Sequence, residues 1–452
     1  MNRSTRYLII GNSAAGVAAA ESIRKADPQA PVLMLSREPY AAYGRPLISY
    51  MVEGKTTKDK VYLKPESFYR DNNLETLFGP EYEAVSLQPE QHTATLANGD
   101  TVAYEKCLMA TGSNPFTPPF EGICGTEENV HNFITLDDAL AAWKSVTEAT
   151  AAAHAQGRKS RVVVIGGGLI GLKAAEALSH HADEICVFER SPRILPVVLD
   201  NTGAGILQGL LEPYGITCRP GFTADRFEVE DGRVVRAHIT DDTMLDVDVL
   251  MLCVGVRPNS KLAVDAGAQQ GRGLICGPDL QTSLPDVYAA GDLVQVTDSL
   301  DGAQRPLALW PNALQQGALA GAHMAGAAEA EDFLGSFAVN AVDFFEHSLL
   351  TAGVINPAPE GGFQEHIFTE GSRYVKFVTK DDRLYGYILL NRPQRAGVYT
   401  SIIRSGIPLS SFAGDVFQNP PQNIDFPQDM RMERIHKGYP RSLDYRGWKE
   451  QA

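Results

Sequence analysis

Cysteine is missing from the whole stretch between Met1 and Lys106, and the six that follow include no Cys-x-x-Cys pair. Cys107, Cys124, Cys186, Cys218, Cys253 and Cys276 therefore offer no zinc ribbon, no iron–sulfur centre of ordinary ligand spacing and no local dithiol. Cys186 and Cys253 stand inside apolar runs and read as reduced core thiols. Long apolar runs are lacking too, since no stretch approaches the ~18 residues that a membrane-spanning helix needs. Residues 1–6 lead straight into a short apolar strand, without the apolar segment and cleavage site of a secretory leader, so a cytoplasmic location is expected. Positive charge is in short supply: 40 Lys and Arg stand against 55 Asp and Glu, a net charge of −15. That balance argues against nucleic acid or an anionic membrane as the main partner. What remains is an ordinary globular composition, 44% hydrophobic and 21% charged over 452 residues, enough for two or three domains.

The chain opens on the apolar run Tyr7-Leu8-Ile9-Ile10, then Gly11-Asn12-Ser13-Ala14-Ala15-Gly16 and Ala-rich sequence to Ala26. This pattern predicts a strand, a tight turn and a helix, with a second strand at 32–35. Asn98-Gly99 joins two further short strands as a hairpin. Near Arg161 the opening pattern returns: Val162–Ile165, then Gly166-Gly167-Gly168-Leu169-Ile170-Gly171, a helix to about Ser179 and a strand at 185–188. Another hairpin straddles Asp231-Gly232, and an apolar strand is expected over 249–254. Two such βαβ units in one chain imply two dinucleotide-binding domains. The Ala-rich stretch 136–156 reads as a surface helix with a linker and receives no chemistry. From Phe337 two strands, at 373–378 and 384–390 around Asp381-Asp382, and a helix near 397–404 make a smaller α+β unit. Beyond Ser411, Pro420, Pro421, Pro427 and Pro440 interrupt any periodicity, so an extended or partly disordered tail is expected.

A lone G-x-G-x-x-G is a weak signal, but the second unit supplies its full context. A strand precedes Gly166, a helix follows Gly171 and Glu189 ends the next strand. Gly166 permits the turn, Gly168 lets backbone approach a pyrophosphate and Gly171 allows close helix–strand packing. The phosphates then sit on the helix start at Leu169 and Ile170, where free N–H groups and the dipole favour negative charge. Glu189 would accept from ribose hydroxyls and repel a 2′-phosphate, whereas Arg190 beside it has the opposite preference. The first unit is less regular. Ser13 replaces the middle glycine, Ser36 stands where the acidic residue belongs, and Glu38 is the nearest carboxylate. By itself that turn fits a nucleotide site or a plain structural turn equally well.

Further pieces raise it. Ala110-Thr111-Gly112-Ser113 ends one apolar strand, Gly255-Val256-Arg257-Pro258-Asn259 follows another, and Val287-Tyr288-Ala289-Ala290-Gly291-Asp292 closes a third. Together these pieces resemble the two-dinucleotide-binding flavoproteins related to glutathione reductase, over roughly residues 5–405. The resemblance implies an α/β fold with two Rossmann-like domains, a C-terminal α+β interface domain and an extended tail. Its domains would be 1–115 (FAD, first part), 116–245 (NAD), 246–333 (FAD, second part), 334–411 (interface) and 412–452 (tail). Gly11, Ser13, Ala14, Ala15 and Gly16 would hold the FAD pyrophosphate, Gly291 and Asp292 its ribityl chain. Ser36, Arg37, Glu38, Ala110, Thr111 and Gly112 would join the same site. Gly166, Gly168, Leu169, Ile170, Gly171, Glu189, Arg190 and Gly255 would hold NADH. Within the group, Tyr43-Gly44-Arg45-Pro46-Leu47-Ile48-Ser49-Tyr50 is similar to a segment of NADH:rubredoxin reductases and of the flavin part of nitrite reductases, and Leu309-Trp310-Pro311-Asn312-Ala313-Leu314-Gln315-Gln316-Gly317 resembles their flavin-contacting helix start. Arg45, Pro46, Ser49, Pro311, Asn312 and Ala313 would accordingly position the flavin. The bland reading of Arg45 is a surface loop arginine.

Two departures from the family pattern matter. Disulfide reductases carry a cysteine pair beside the flavin and a related branch carries one near residue 45, but no thiol occurs there in this chain. Lys173 stands where many relatives place a glutamate near the nicotinamide. His180-His181 reads as helix capping rather than a metal site, His347 with Glu346 and Asp343 as a solvated helix or strand end rather than a local acid–base group, and no nucleophile elbow supports hydrolysis. No side chain is expected to act as general acid or base, and no metal is expected. The expectation is an FAD-dependent NAD(P)H oxidoreductase that exchanges hydride with NADH and single electrons with an iron–sulfur or rubredoxin-like protein. It would work as a homodimer or as a subunit of a larger redox complex. Rival readings are an NADH oxidase, a coenzyme A disulfide reductase-like enzyme and, from another class, a redox-sensing or scaffolding flavoprotein subunit. In the tail, Arg431, Arg434, Lys437, Arg441, Arg446 and Lys449 outnumber Glu433 and Asp444, which suggests an arm that docks an acidic acceptor or a merely solvated one.

Overall fold

The computed structural model describes residues 2–328, 330–428 and 431, so the basic arm beyond Arg431 lies outside the described residues. The chain divides into two units, one running to Val197 and resuming over Leu207–Ser336, the other made of Val198–Ile206 and the chain from Phe337 onward.

In the first unit the described residues form a seven-stranded sheet. Its order is Glu75–Phe78, Val32–Ser36, Asn2–Ile10, Thr101–Met109, Thr93–Leu96, Ala84–Gln88, with Val287–Ala289 laid along Thr101–Met109. The central pairs are parallel, and the Asn98-Gly99 hairpin adds its strands antiparallel. A second sheet of five parallel strands runs Ile216–Pro220, Glu184–Glu189, Arg161–Ile165, Val249–Leu252, Val130–His131. Helices cover parallel sheets on both faces, so their strands are apolar throughout rather than alternating. Val32–Leu35, Val162–Ile165 and Val249–Leu252 are buried at every position. Val249–Leu252 pairs with Arg161–Ile165, which places the last strand of the second sheet beyond the boundary expected at residue 245.

Ser113–Pro115 and Val256–Pro258 then pair antiparallel where the chain leaves the first sheet and returns to it. Helix Leu136–Ala155, expected as a surface element, buries Leu136, Ala139, Ala142, Val146 and Ala153. Its small side chains let it pack on Leu47–Val52 and on Val249–Leu252. Helix Trp310–Met324 packs on helix Ala14–Ala26 at very short range. A Cβ on Gly317 would land on the carbonyl oxygen of Ala15, and one on Gly321 would come 2.5 Å from that of Ala19.

The second unit holds a five-stranded antiparallel sheet, ordered Val339–Phe344, His347–Gly353, Arg383–Leu390, Arg373–Lys380, Gln364–Glu370. Its two central strands and helix Ala396–Ser405 match expectation, and Asp381 and Asp382 both take positive φ in the turn. The other three strands were not anticipated. The expected extended tail is also corrected as far as it is described: Phe412, Val416, Phe417 and Phe426 are buried, and Phe417 stacks on Phe377 at 4.5 Å. Aromatic burial anchors that segment despite its prolines.

Candidate functional site

The two glycine turns superimpose in their logic. Gly11 (φ 126°) and Gly166 (φ 113°) both occupy backbone space that L side chains avoid. A Cβ on Gly11 would strike the carbonyl of Ala110, and one on Gly166 that of Cys253, the equivalent position in the other sheet. Gly16 and Gly171 repeat the match, each packed on the carbonyl of its own first glycine. Ser13 and Gly168 are both N-caps, neither makes a side-chain cap bond, and neither helix has an acid in its first turn. Ala14 and Ala15, or Leu169 and Ile170, therefore open helices whose leading N–H groups no side chain satisfies. Such ends accept phosphate. The irregular first turn is thus as well formed as the regular one.

Beside the second glycine turn, Glu189 accepts from Gly167 N at 2.9 Å and from Ser191 N at 2.8 Å, so its carboxylate is fixed there. Arg190 is exposed next to it. Gly255 (φ 116°) accepts from Phe116 N, and Arg257 lies 3.8 Å from the Phe116 ring centroid. Thr111 Oγ1 donates to Asn259 O at 2.7 Å, and Gly112 O accepts from Asn259 N at 2.9 Å. The motifs at 110–113 and 255–259 are therefore one knot tying the two crossings together.

Toward the first turn, Asp292 accepts from Ser113 Oγ at 3.0 Å. Burial pushes its carboxyl up, while that hydrogen bond and the charge of Arg45 pull the other way. Gly291 (φ 91°) lies beside Ala15 and Ala313, and its N–H is held at 2.8 Å by the buried Gln316 Oε1. Pro311 stands in the first turn of its helix, and buried Asn312 donates to Leu307 O at 3.1 Å and accepts from Ser336 Oγ at 2.8 Å. Asn312 therefore braces this helix start with its own side chain.

Arg45 donates to Glu38 Oε1 at 2.6 Å and to Ile134 O at 3.1 Å, which removes the reading of a loose surface arginine. Tyr43 OH donates to the other Glu38 oxygen at 2.5 Å and accepts from Leu136 N at 3.0 Å. Glu38, expected as a cofactor carboxylate, is thus already bound by Arg45 and Tyr43. Ser36 Oγ bonds within its own turn to Glu38 O, and Arg37 reaches Asn114 Oδ1 at 3.1 Å. Pro46 caps helix Leu47–Val52, and buried Ser49 bonds back to Pro46 O. Tyr43, Ser113 and Gln316 were not among the expected site residues. All three lie within segments that resemble the family's, but Tyr43 acts through Leu136, a partner that no local pattern announces.

The thiols stand apart from this chemistry. Cys107 and Cys253 are buried and Cys186 half-buried. Burial pushes Cys218, Cys253 and Cys276 up to about 12, where a thiolate is scarce at neutral pH. His180 is the C-cap of helix Leu169–Ser179, as the capping reading expects, His181 Nε2 lies 2.8 Å from the carbonyl of Val52 at the end of helix Leu47–Val52, and His347 is 3.7 Å from Glu346 Oε1.

Two uncapped helix starts on glycine turns, with a half-buried carboxylate and arginine beside the first, fit FAD and a nicotinamide dinucleotide. When bound, the flavin supplies hydride exchange and one-electron transfer; the chain supplies binding and orientation. Fold and site together define a flavoprotein oxidoreductase with two dinucleotide sites.

The chain belongs to the pyridine nucleotide-disulphide oxidoreductase family, whose model matches residues 5–317. It is an FAD-dependent NADH oxidoreductase. It is 28% identical over 418 residues to the epsilon subunit of an NADH-dependent phenylglyoxylate dehydrogenase from Aromatoleum evansii, covering 92% of this chain and 95% of that one. It is 32% identical over 328 residues to an NADH oxidase from Methanocaldococcus jannaschii, covering 71% and 70%. In fold it is similar to the crystal structure of a covalent putidaredoxin reductase–putidaredoxin complex, with a TM-score of 0.80 at 22% identity over 96% of this chain and 98% of that one.

Proposed function

We propose that the chain takes hydride from NADH onto FAD and passes electrons singly to an iron–sulfur or rubredoxin-like protein, with no thiol between. The carrying observation is the pair of matched glycine turns in one unit of a chain that has no cysteine before Cys107. Gly11–Gly16, Ala110–Gly112, Gly291 and Asp292 hold FAD in this reading, with Arg45, Pro46, Ser49 and Asn312 setting the flavin. Gly166–Gly171, Glu189 and Gly255 hold NADH. Similarity along 95% of a relative that is itself a subunit favours a protein acceptor in a larger redox complex or a homodimer. No helix among the described residues is long and apolar enough to cross a membrane, and the proposed location is the cytoplasm.

The NADH oxidase relative keeps oxygen as the second acceptor to test. The deciding experiment reduces the flavin with NADH in a stopped-flow instrument and then mixes it with a [2Fe–2S] ferredoxin, with rubredoxin or with oxygen. Reoxidation by a protein carrier at least ten times faster than by oxygen, a margin of about 1.4 kcal/mol in barrier, is the expected outcome. Faster reoxidation by oxygen overturns it.

A further inference from the structure

A second feature lies where the Arg45-Pro46 segment meets the helix of the second glycine turn. Helix Leu47–Val52 starts at Pro46 of the Arg45-Pro46 pair, and helix Leu169–Ser179 starts at the second glycine turn. The two helices pack on each other, and four charges meet at the junction. Lys173 Nζ is paired with Glu176 Oε2 and stands 3.5 Å from Glu53 Oε1. Lys55 Nζ lies 3.6 Å from Glu176 Oε1 and 2.6 Å from Glu53 Oε2, the latter a charge contact outside hydrogen-bond geometry. Both glutamate side chains are 0% exposed and that of Lys173 is 14% exposed. The Tyr50 ring lies 4.8 Å from Lys173 Nζ and 5.4 Å from Lys55 Nζ. Beyond the cluster, His181 Nε2 reaches Val52 O.

Among the described residues, two ammonium and two carboxylate groups offset one another at this junction. Removing Lys173 leaves two buried carboxylates facing Lys55, whose side chain is 43% exposed, so the pairing resists sliding of one helix on the other. Lys173 is four residues past Leu169, about 6 Å along the helix axis. A shift there is handed almost undiminished to the turn that binds the coenzyme.

We propose that Lys173, locked to Glu53 and Glu176 between the two helices, is a positioning residue that fixes the nicotinamide turn against the flavin loop. This rests on the proposed function in that it assumes NADH and FAD occupy the two turns. It goes further in assigning alignment of the two cofactors to a charge cluster between the two helices.

The test compares flavin-loaded wild type with Lys173→Met, Lys173→Arg and the charge-balanced Lys173→Met/Glu176→Gln. Flavin reduction at saturating NADH, NADH affinity, thermal midpoint and hydrogen exchange over residues 47–55 and 169–181 are measured on each. Lys173→Met should slow reduction about 10- to 100-fold, the scale of a small misalignment, with NADH affinity changed less than about three-fold. Exchange should rise in both segments. Lys173→Arg should recover most of the rate, whereas the double variant should recover the thermal midpoint but not the rate. Equal rates and exchange in Lys173→Met overturn the proposal, and so does a double variant restored in both rate and stability. Should Lys173→Met fail to fold, the arginine and double variants carry the same comparison. A wild-type flavin that NADH leaves oxidised removes the proposed function instead, and the exchange comparison then decides the cluster's role by itself.

Discussion

At Asp292 burial raises the pKa above its ordinary value, with the Ser113 hydrogen bond and the Arg45 charge opposing it only in part. The folded chain therefore holds a proton there more tightly than the unfolded chain. This contribution to stability is present below the unfolded carboxylate pKa and is lost as pH rises through the folded value. Asp292→Asn removes the ionised group, so the flavin-free variant should melt no lower than wild type at pH 7, with the advantage shrinking in acid. The same change should weaken FAD binding by roughly 1.5–3 kcal/mol, about 10- to 150-fold in affinity, through lost charge-assisted hydrogen bonds. Undiminished FAD affinity would contradict the assignment. Lys376 illustrates a purely structural charge: it is buried, 3.1 Å from Asp200 Oδ2 and 2.7 Å from Glu365 Oε1, with Tyr374 OH also bonded to Asp200. Lys376→Met strands Asp200 and should lower the unfolding free energy of the second unit by about 3 kcal/mol, read by calorimetry. Such pairs escaped the sequence because their members lie far apart along the chain. Local patterns report spacing, not distant partners, and the same holds for Lys173 with Glu53 and for Tyr43 with Leu136.

At the scale of elements, the glycine turns were legible because strand, turn and helix all signal within a few residues. Even Ser13 in place of a glycine did not hide the first, since the positions that must lack a Cβ are Gly11 and Gly16. That distinction can be tested in the second turn. A Cβ on Gly171 would land on the carbonyl of Gly166, whereas one on Gly168 meets nothing within 4 Å. Gly171→Ala should therefore cost about 1–3 kcal/mol of stability through overpacking. Gly168→Ala should leave the thermal midpoint nearly unchanged and instead raise KM for NADH, because its methyl group stands where backbone meets pyrophosphate. Equal thermal losses in both variants would refute the division of roles. Edge strand Gln364–Glu370 was invisible for a physical reason: it is exposed or half-buried at every position. A strand with no buried face leaves no alternation to read.

For the whole molecule, the lack of cysteine in the first 106 residues has the widest consequence. The chain has the fold of a family in which a flavin commonly hands electrons to sulfur, yet it carries no cysteine before Cys107. Its buried thiols are held protonated by burial. Replacing the six cysteines one at a time by Ser should leave electron transfer to a protein acceptor within about three-fold, apart from stability losses at buried positions. Charge scale matters as well: at a net charge of −15, encounter with an acidic carrier needs a local basic surface, and the arm from Arg431 to Lys449 is the sequence feature that offers one. Deleting it should slow reduction of an acidic acceptor most at low salt, while flavin reduction by NADH stays unchanged; equal rates at every ionic strength would assign the arm elsewhere. The most direct test of a thiol-free hydride path is an anaerobic titration of the flavin with NADH, followed by absorbance. Complete bleaching at about one NADH per flavin is expected, since the flavin alone stores the electron pair. An endpoint at about two NADH per flavin would show a second two-electron centre, a disulfide above all, and would contradict the account.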